Sequence, residues 1–371
     1  MIKRDNFLLT ACAALCIALG PFAAPVKAAD APPKYEVVAN WPKALPQYWV
    51  LGQVGGVCID SKDHVFVLNR RDIEDNNELD SGVQAPPVLE FDPEGTLVNS
   101  WNNHLDILPN LFFHGCTFDK DDNMWLVSVG DGVLQKWSHD GKLLLQIGKK
   151  GIVDSSDGTA KGKPLNASQT QFFRPAGIAI DPTNGDVYLA DGEAPRANYR
   201  VVVLNKDGKF LRQWELKKKE TDPADWQPVL HCIAMDKDGN VYVCDRQGQR
   251  FQIFDKKGNF KRYVDIPFTP RTPYPATDQF KNAKVGSWGA SVYITFSTDP
   301  AQKYLLNIHE AAEQVLFLDR STMQVVSSFG RPGHQAGAMV HAHFSPMDSK
   351  GNVYVGEVST GRRIQKFKPV P

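Results

Sequence analysis

One supersecondary pattern recurs along this chain, and a self-similar unit of roughly 20–50 residues restricts the fold more than composition can. The unit is a short apolar strand, an aspartate, a Gly/Asn turn and a second strand. A loop, a third strand, a DG or KG turn and a fourth strand follow. Its clearest copy is IAIDPTNGDVYLAD from Ile178, followed by RVVVLNKDGKFLRQW from Arg200. Period-two alternation and tight-turn residues mark each hairpin. Six copies are read: about Gly55 to Trp101, His114 to Gly148, Pro175 to Glu215, His231 to Ile266, Trp288 to Gly330 and His343 to about Val370. The fifth is degenerate and the sixth has three strands. The stretch KYEVVANW from Lys34 supplies the missing strand. Closing the last copy with the first strand joins the ring and protects its edges. The expectation is an all-β, six-bladed propeller over residues 34–371, with little helix. Two insertions, Asp72–Pro86 and Thr269–Ser287, are expected as loops covering one face.

Three copies begin with histidine: HGCTFDKDDN at His114, HCIAMDKDGN at His231 and HFSPMDSKGN at His343. Each histidine is followed five residues on by Asp119, Asp236 or Asp348, and nine on by Asn123, Asn240 or Asn352. Residues in one phase of a ring of repeats face the axis together. Three converging imidazoles with no fourth protein ligand make an open metal site of catalytic type. At this phase the other copies offer Gly55 and Ala176 or Gly177, small residues that leave room for a ligand. His64, His104, His139, His309 and His334 fall outside the phase and read as surface or loop residues. The DKDGN runs lack a twelve-residue calcium loop with its terminal Glu and read as hairpin turns.

Lys+Arg and Asp+Glu number 42 each, so net charge is zero, which argues against nucleic acid as a partner. No stretch approaches a membrane-spanning length of about 18 apolar residues. Lys3 and Arg4, an apolar run from Phe7 to about Leu19 and small residues around Val26–Ala28 read as an export signal over residues 1–28. A lipoprotein-like Leu9–Cys12 comes too early in that segment. The expected location is periplasmic or secreted. Cys58, Cys116, Cys232 and Cys244 remain after cleavage, with three possible pairings and buried free thiols as the alternative. A Cys232–Cys244 bridge would flank one hairpin, out of good register. Phosphate-loop, dinucleotide and serine-hydrolase motifs are absent.

The run from Phe172 to Phe210, with GIAIDPTNGDVYLAD and RVVVLNKDGKF within it, resembles an NHL repeat. The six-copy array resembles most the peptidyl-α-hydroxyglycine α-amidating lyase domain, over nearly the whole mature chain. The resemblance implies zinc held by His114, His231 and His343. It also implies substrate contacts from Arg70, in VFVLNRRD, and Arg246, in VYVCDR. Three positions depart from the family. Glu193 stands where its catalytic tyrosine would be, with Tyr199 nearby in a longer loop. His341 replaces a methionine, and Phe344 replaces an aspartate tied to a structural calcium.

A bound divalent ion would polarise a substrate oxygen and lower the pKa of a bound hydroxyl or water. Arg70 and Arg246 suit a carboxylate or a developing oxyanion. Glu193 and Tyr199 are the proton-transfer candidates. His341 pairs with His343 as HxH, whose side chains share a face on an extended strand. It is open as a fourth ligand, an acid/base or a rim residue. The leading expectation is an exported zinc-dependent lyase or hydrolase acting on a small hydroxylated or carbonyl, possibly peptide-derived, substrate. Calcium is the weaker cofactor alternative. The competing expectation is a non-catalytic scaffold for a ligand or protein partner. A lactonase-like hydrolase, with acidic calcium ligands, fits the histidine-rich channel less well.

Overall fold

Within each blade, burial sorts the strands by their distance from the centre. The second strands, such as Val187–Asp191 (VYLAD) and Val241–Asp245 (VYVCD), are buried at every position. They are covered on both faces by neighbouring blades, so they are apolar without alternation. The outermost strands alternate instead: Leu143–Ile147 and Phe210–Glu215 expose every second residue to some degree.

The computed structural model describes residues 34–73, 77–102, 105–109, 111–152, 165–266 and 289–370. Among these, six four-stranded antiparallel sheets form the blades. Five run in chain order from the inner strand outward, with inner strands Val54–Ile59, Phe113–Phe118, Pro175–Ile180, Leu230–Met235 and Ile294–Phe296. The sixth runs from Ala342–Phe344 through Val353–Glu357 and Ile364–Val370 to Lys34–Val37. Lys34 faces Val370 and Val37 faces Phe367, so the N-terminal strand closes the last blade. The chain is a six-bladed β-propeller, as the repeat predicts.

The apolar core lies between blades. Phe66 and Leu68 of blade one pack with Phe113, Met124 and Trp137 of blade two. Tyr188 and Val203 of blade three pack with Val241 and Phe254 of blade four. The insertion at Asp72–Pro86 carries a short helix, Asn77–Ser81, and a two-residue strand, Val83–Gln84, paired with Trp49–Val50. The second insertion, Thr269–Ser287, the export segment and His104 lie outside the described residues. Among the described residues no helix is long and apolar enough to cross a membrane.

Two disulfides resolve the open pairing. Cys58–Cys116 joins the inner strands of blades one and two, and Cys232–Cys244 joins the first two strands of blade four. The second pair looked out of register because the ladder skips from Leu230–Asp245 to Ile233–Val243, an irregularity that brings Cys232 beside Cys244. The DKDGN segments are turns. Asp236 takes the Asp238 and Asn240 amides and the Asn240 side chain, and Asp348 repeats the pattern with Lys350 and Asn352.

Candidate metal centre and its vestibule

Each inner strand that begins with histidine is bulged at that histidine. The ladder passes from Phe113–Ser128 to Gly115–Val127, from Leu230–Asp245 to Ile233–Val243, and from Ala342–Glu357 to Phe344–Gly356. A bulge leaves its extra residue unpaired and re-aims the side chain. The same skip occurs at Gly55 in blade one and at Ala176 in blade three. Ala176, not Gly177, is therefore the small residue in phase.

The three imidazoles converge. Ring centroids of His114, His231 and His343 lie 4.5–4.8 Å apart, and the Nε2 atoms of His231 and His343 are 3.0 Å apart. All three side chains are buried. His231 Nδ1 donates to Val292 O at 2.6 Å and His114 Nδ1 donates to Ala176 O at 3.2 Å. A carbonyl only accepts, so these bonds fix the Nδ1–H tautomer and leave both Nε2 lone pairs free. His343 Nδ1 is buried with no hydrogen-bond partner among the described residues. Burial lowers the pKa of His114 to about 4, and burial with the neighbouring imidazoles pushes His231 and His343 well below 6.5. Neutral nitrogens with converging lone pairs fit a divalent ion of the zinc class.

Glu193 stands against this cluster. Its Oε1 lies 3.8 Å from His114 Nε2, 3.9 Å from His231 Nε2 and 3.2 Å from Arg246, while Oε2 meets Arg174 at 3.3 Å. Burial alone would raise its pKa; His114, Arg246 and Arg174 outweigh that and hold it below the usual carboxylate value. The preceding Gly192 has φ +145°, and a Cβ there would fall 1.7 Å from Asn198 O. Only glycine lets the chain turn Glu193 inward at that point.

Arg70 is buried on the other flank. Its Nε donates to Phe113 O at 3.1 Å, its Nη1 to Gln53 at 2.8 Å, and its guanidinium lies 4.1 Å over the Phe112 ring. Burial lowers its pKa to about 10, above neutrality, so it stays cationic. Gly55 makes this possible, because a Cβ there would meet Arg70 Nε at 2.8 Å and Phe113 O at 2.5 Å. Arg70, Arg246, Glu193, His114, His343 and His341 together line a vestibule of about 380 Å³. Sequence reading passed over its further members Gln53, Phe112, Arg174 and Ser359. Arg174 carried one signal, its place just before the inner strand of blade three.

Three expectations change. His341 does not share an extended face with His343. It has φ +56° and precedes the strand Ala342–Phe344. Its ring turns to Glu310, 2.5 Å from Nε2, and to Ser359 Oγ, 2.8 Å from Nδ1, with its centroid 6.4 Å from that of His343. Tyr199 lines a separate recess with Leu165, Arg196 and Trp226, while Glu193 faces the histidines. His309, expected at the surface, is buried at the end of the strand Tyr304–His309, and burial lowers its pKa to about 4.

The sequence matches no protein-family model. It is 27% identical to human NHL repeat-containing protein 3 over 351 residues, covering 91% of this chain and 84% of that protein. It is 28% identical to mouse peptidyl-glycine alpha-amidating monooxygenase over 354 residues, which is 90% of this chain and 32% of that protein. The Drosophila melanogaster peptidyl-alpha-hydroxyglycine alpha-amidating lyase 1 is 24% identical over 344 residues, 85% of this chain and 57% of that lyase. Among solved structures, virginiamycin B lyase from Staphylococcus aureus superposes with TM-score 0.50 at 14% identity, covering 91% of this chain and 88% of that one. A streptogramin B lyase gives 0.51 at 14% identity, with the same coverage of both chains. These two likenesses concern the fold. The chain has NHL-repeat proteins and amidating lyases among its homologues.

Proposed function

We propose that this protein is an exported, zinc-dependent propeller enzyme of the lyase type. Its substrate is a small molecule with a hydroxyl beside a carboxylate, of the N-acyl-α-hydroxyglycine class. The observation that carries the reading is the meeting of three neutral imidazoles with one ionised carboxylate, a buried arginine, Arg70, and a half-buried one, Arg246, beside one vestibule. His114, His231 and His343 would hold the ion, which when bound supplies Lewis-acid polarisation of a substrate oxygen.

The remaining work falls to side chains of this chain. Arg70, fixed through Nε and Nη1, presents a rigid cation for the substrate carboxylate. Arg246 binds the same group from the opposite flank. Glu193, held ionised, takes the proton of the substrate hydroxyl. The electron pair left on oxygen forms a carbonyl as the C–N bond breaks, and the departing amide nitrogen takes up a proton. The products are a primary amide and a 2-oxo acid. Three paired groups keep Glu193 in place before substrate arrives, which lowers the reorganisation needed in the reaction.

Two disulfides support an oxidising, extracytoplasmic location. The competing reading, a non-catalytic binding scaffold, draws on the likeness to NHL repeat-containing protein 3 and on the engagement of Arg246 by Glu193. The deciding experiment incubates the zinc-loaded protein with N-benzoyl-α-hydroxyglycine and measures the 2-oxo acid. Turnover that falls in Glu193→Gln supports the lyase. Binding without turnover supports the scaffold.

A further inference from the structure

At the far end of the inner strand of blade one, three departures from the repeat meet at one point. Blades two, three and four provide the reference; in blade six the equivalent Asp348 is held by Asn352 and Tyr354 instead. In blade two, Asp119 at the first hairpin turn is neutralised by Lys136 at 2.8 Å and bonded by Asn123. In blade three, Asp181 meets Lys256 of the next blade at 2.5 Å. In blade four, Asp236 meets Arg320 of the next blade at 2.9 Å and is bonded by Asn240. Each of these buried or half-buried acids thus has a permanent cation.

Blade one is different at each equivalent position. His64, four residues after Asp60, stands where Asn123 and Asn240 stand. Glu90 faces Phe66 in the ladder as Lys136 faces Trp125, so an acid replaces the cation. His139 follows the third strand of blade two by two residues, as Lys256 does in blade four, and Arg320 comes directly after that of blade five. Each change exchanges a residue that is a poor metal ligand for a good one.

The side chains are close together. His64 Nδ1 lies 2.6 Å from Glu90 Oε1, and His139 Nε2 lies 2.8 Å from Asp60 Oδ2 and 3.9 Å from Glu90 Oε1. Ligand atoms of Asp60, His64 and Glu90 all fall within 4.8 Å of one another. Asp60 and Glu90 are only 6% and 5% exposed. Among the described residues, their ion-pair partners are these two histidines and no lysine or arginine. Two carboxylates are thus buried side by side with only imidazoles as ion-pair partners, a costly arrangement without a further cation.

We propose that Asp60, His64, Glu90 and His139 form a second metal site, taking a divalent ion of the zinc class at the junction of blades one and two. Two imidazole nitrogens and two carboxylate oxygens suit zinc in tetrahedral coordination. One divalent charge balances Asp60 and Glu90, replacing the lysines and arginine used in blades two to four. Asp60 lies five residues beyond the axial Gly55, about 16 Å along an extended strand, so this site is separate from the axial histidines. Its role is to tie the two blades whose inner strands also share Cys58–Cys116.

The test restores the sibling pattern. The triple variant His64→Asn, Glu90→Lys, His139→Lys and the single variant His139→Lys are loaded with excess zinc, gel-filtered and analysed for retained metal beside the wild type and His231→Ala. Wild type should retain one more zinc per chain than the triple variant, and His231→Ala should keep this ion. Equal retention in wild type and both variants, with unchanged circular dichroism, would overturn the proposal. So would a wild type whose retained zinc is all lost in His231→Ala. Zinc that survives His231→Ala and vanishes in the triple variant upholds this site even where the axial centre fails.

Discussion

His231 and His343 lie 112 residues apart in the chain, yet their Nε2 atoms stand 3.0 Å from one another at the propeller axis. Two bulges, in blades four and six, produce that approach. The Val292 carbonyl holds His231 with its lone pair facing inward. Nitrogen lone pairs at this separation repel unless a proton or a cation lies between them.

Glu193→Gln should reduce turnover of an N-acyl-α-hydroxyglycine by at least about 100-fold if the carboxylate is the base. Its removal also frees Arg246, 3.2 Å away, and Arg174, 3.3 Å away. Calorimetry should therefore show tighter binding of a non-reacting N-acylglycine to the variant. Unchanged turnover together with unchanged affinity would remove Glu193 from the site's chemistry.

Metal affinity should resist mild acid. Burial depresses the pKa of His114 to about 4 and those of His231 and His343 well below 6.5, so protons compete with metal only as pH falls toward those values. Zinc affinity at the axial centre, followed by chelator competition in the His139→Lys background, should be nearly constant from about pH 7.5 to 5.5 and fall steeply below about pH 5. A tenfold weakening centred near the ordinary histidine value, about 6.5, would contradict the buried, neutral ligand set.

Asp191→Ala should be among the most damaging single changes in blade three. Asp191 is fully buried and accepts from Arg200 Nε at 2.9 Å and from Asn198 at 2.7 Å. Deleting it removes a carboxylate from beside the buried Arg200 guanidinium and leaves it the neutral acceptors Gln213 and Gln171 O, with an expected loss of about 3–5 kcal/mol measured by urea unfolding. A loss below about 1 kcal/mol would show that the neutral acceptors Gln213 and Gln171 suffice for Arg200.

The two disulfides should differ in weight. Cys58–Cys116 spans 58 residues and Cys232–Cys244 spans 12. Loop-closure entropy gives about 4 kcal/mol for the longer and about 3 kcal/mol for the shorter. Paired Cys→Ala variants, compared by denaturant midpoint, should rank in that order. The reverse order would mean that native-state contacts, and not restriction of the unfolded chain, dominate.

The repeat was legible because strand alternation and turn residues are local signals, and because Lys34–Val37 was the one spare strand for an incomplete sixth blade. The histidine phase was legible for the same reason. The aim of each imidazole was not, since it depends on a bulge that sequence spacing does not reveal. His341 was misplaced on the same ground: its φ of +56° takes it out of the extended strand assumed for HxH. The cluster at Asp60 was invisible along the chain, because Glu90 and His139 reach it from another strand and another blade.

Elemental analysis of the purified protein decides whether His114, His231 and His343 hold a metal at the axis. Zinc-loaded wild type is compared with His114→Ala, His231→Ala and His343→Ala. Each variant should hold one fewer tightly bound ion per chain, with the propeller fold retained. A metal content indifferent to all three substitutions would contradict a metal there and leave the axial histidines as polar packing.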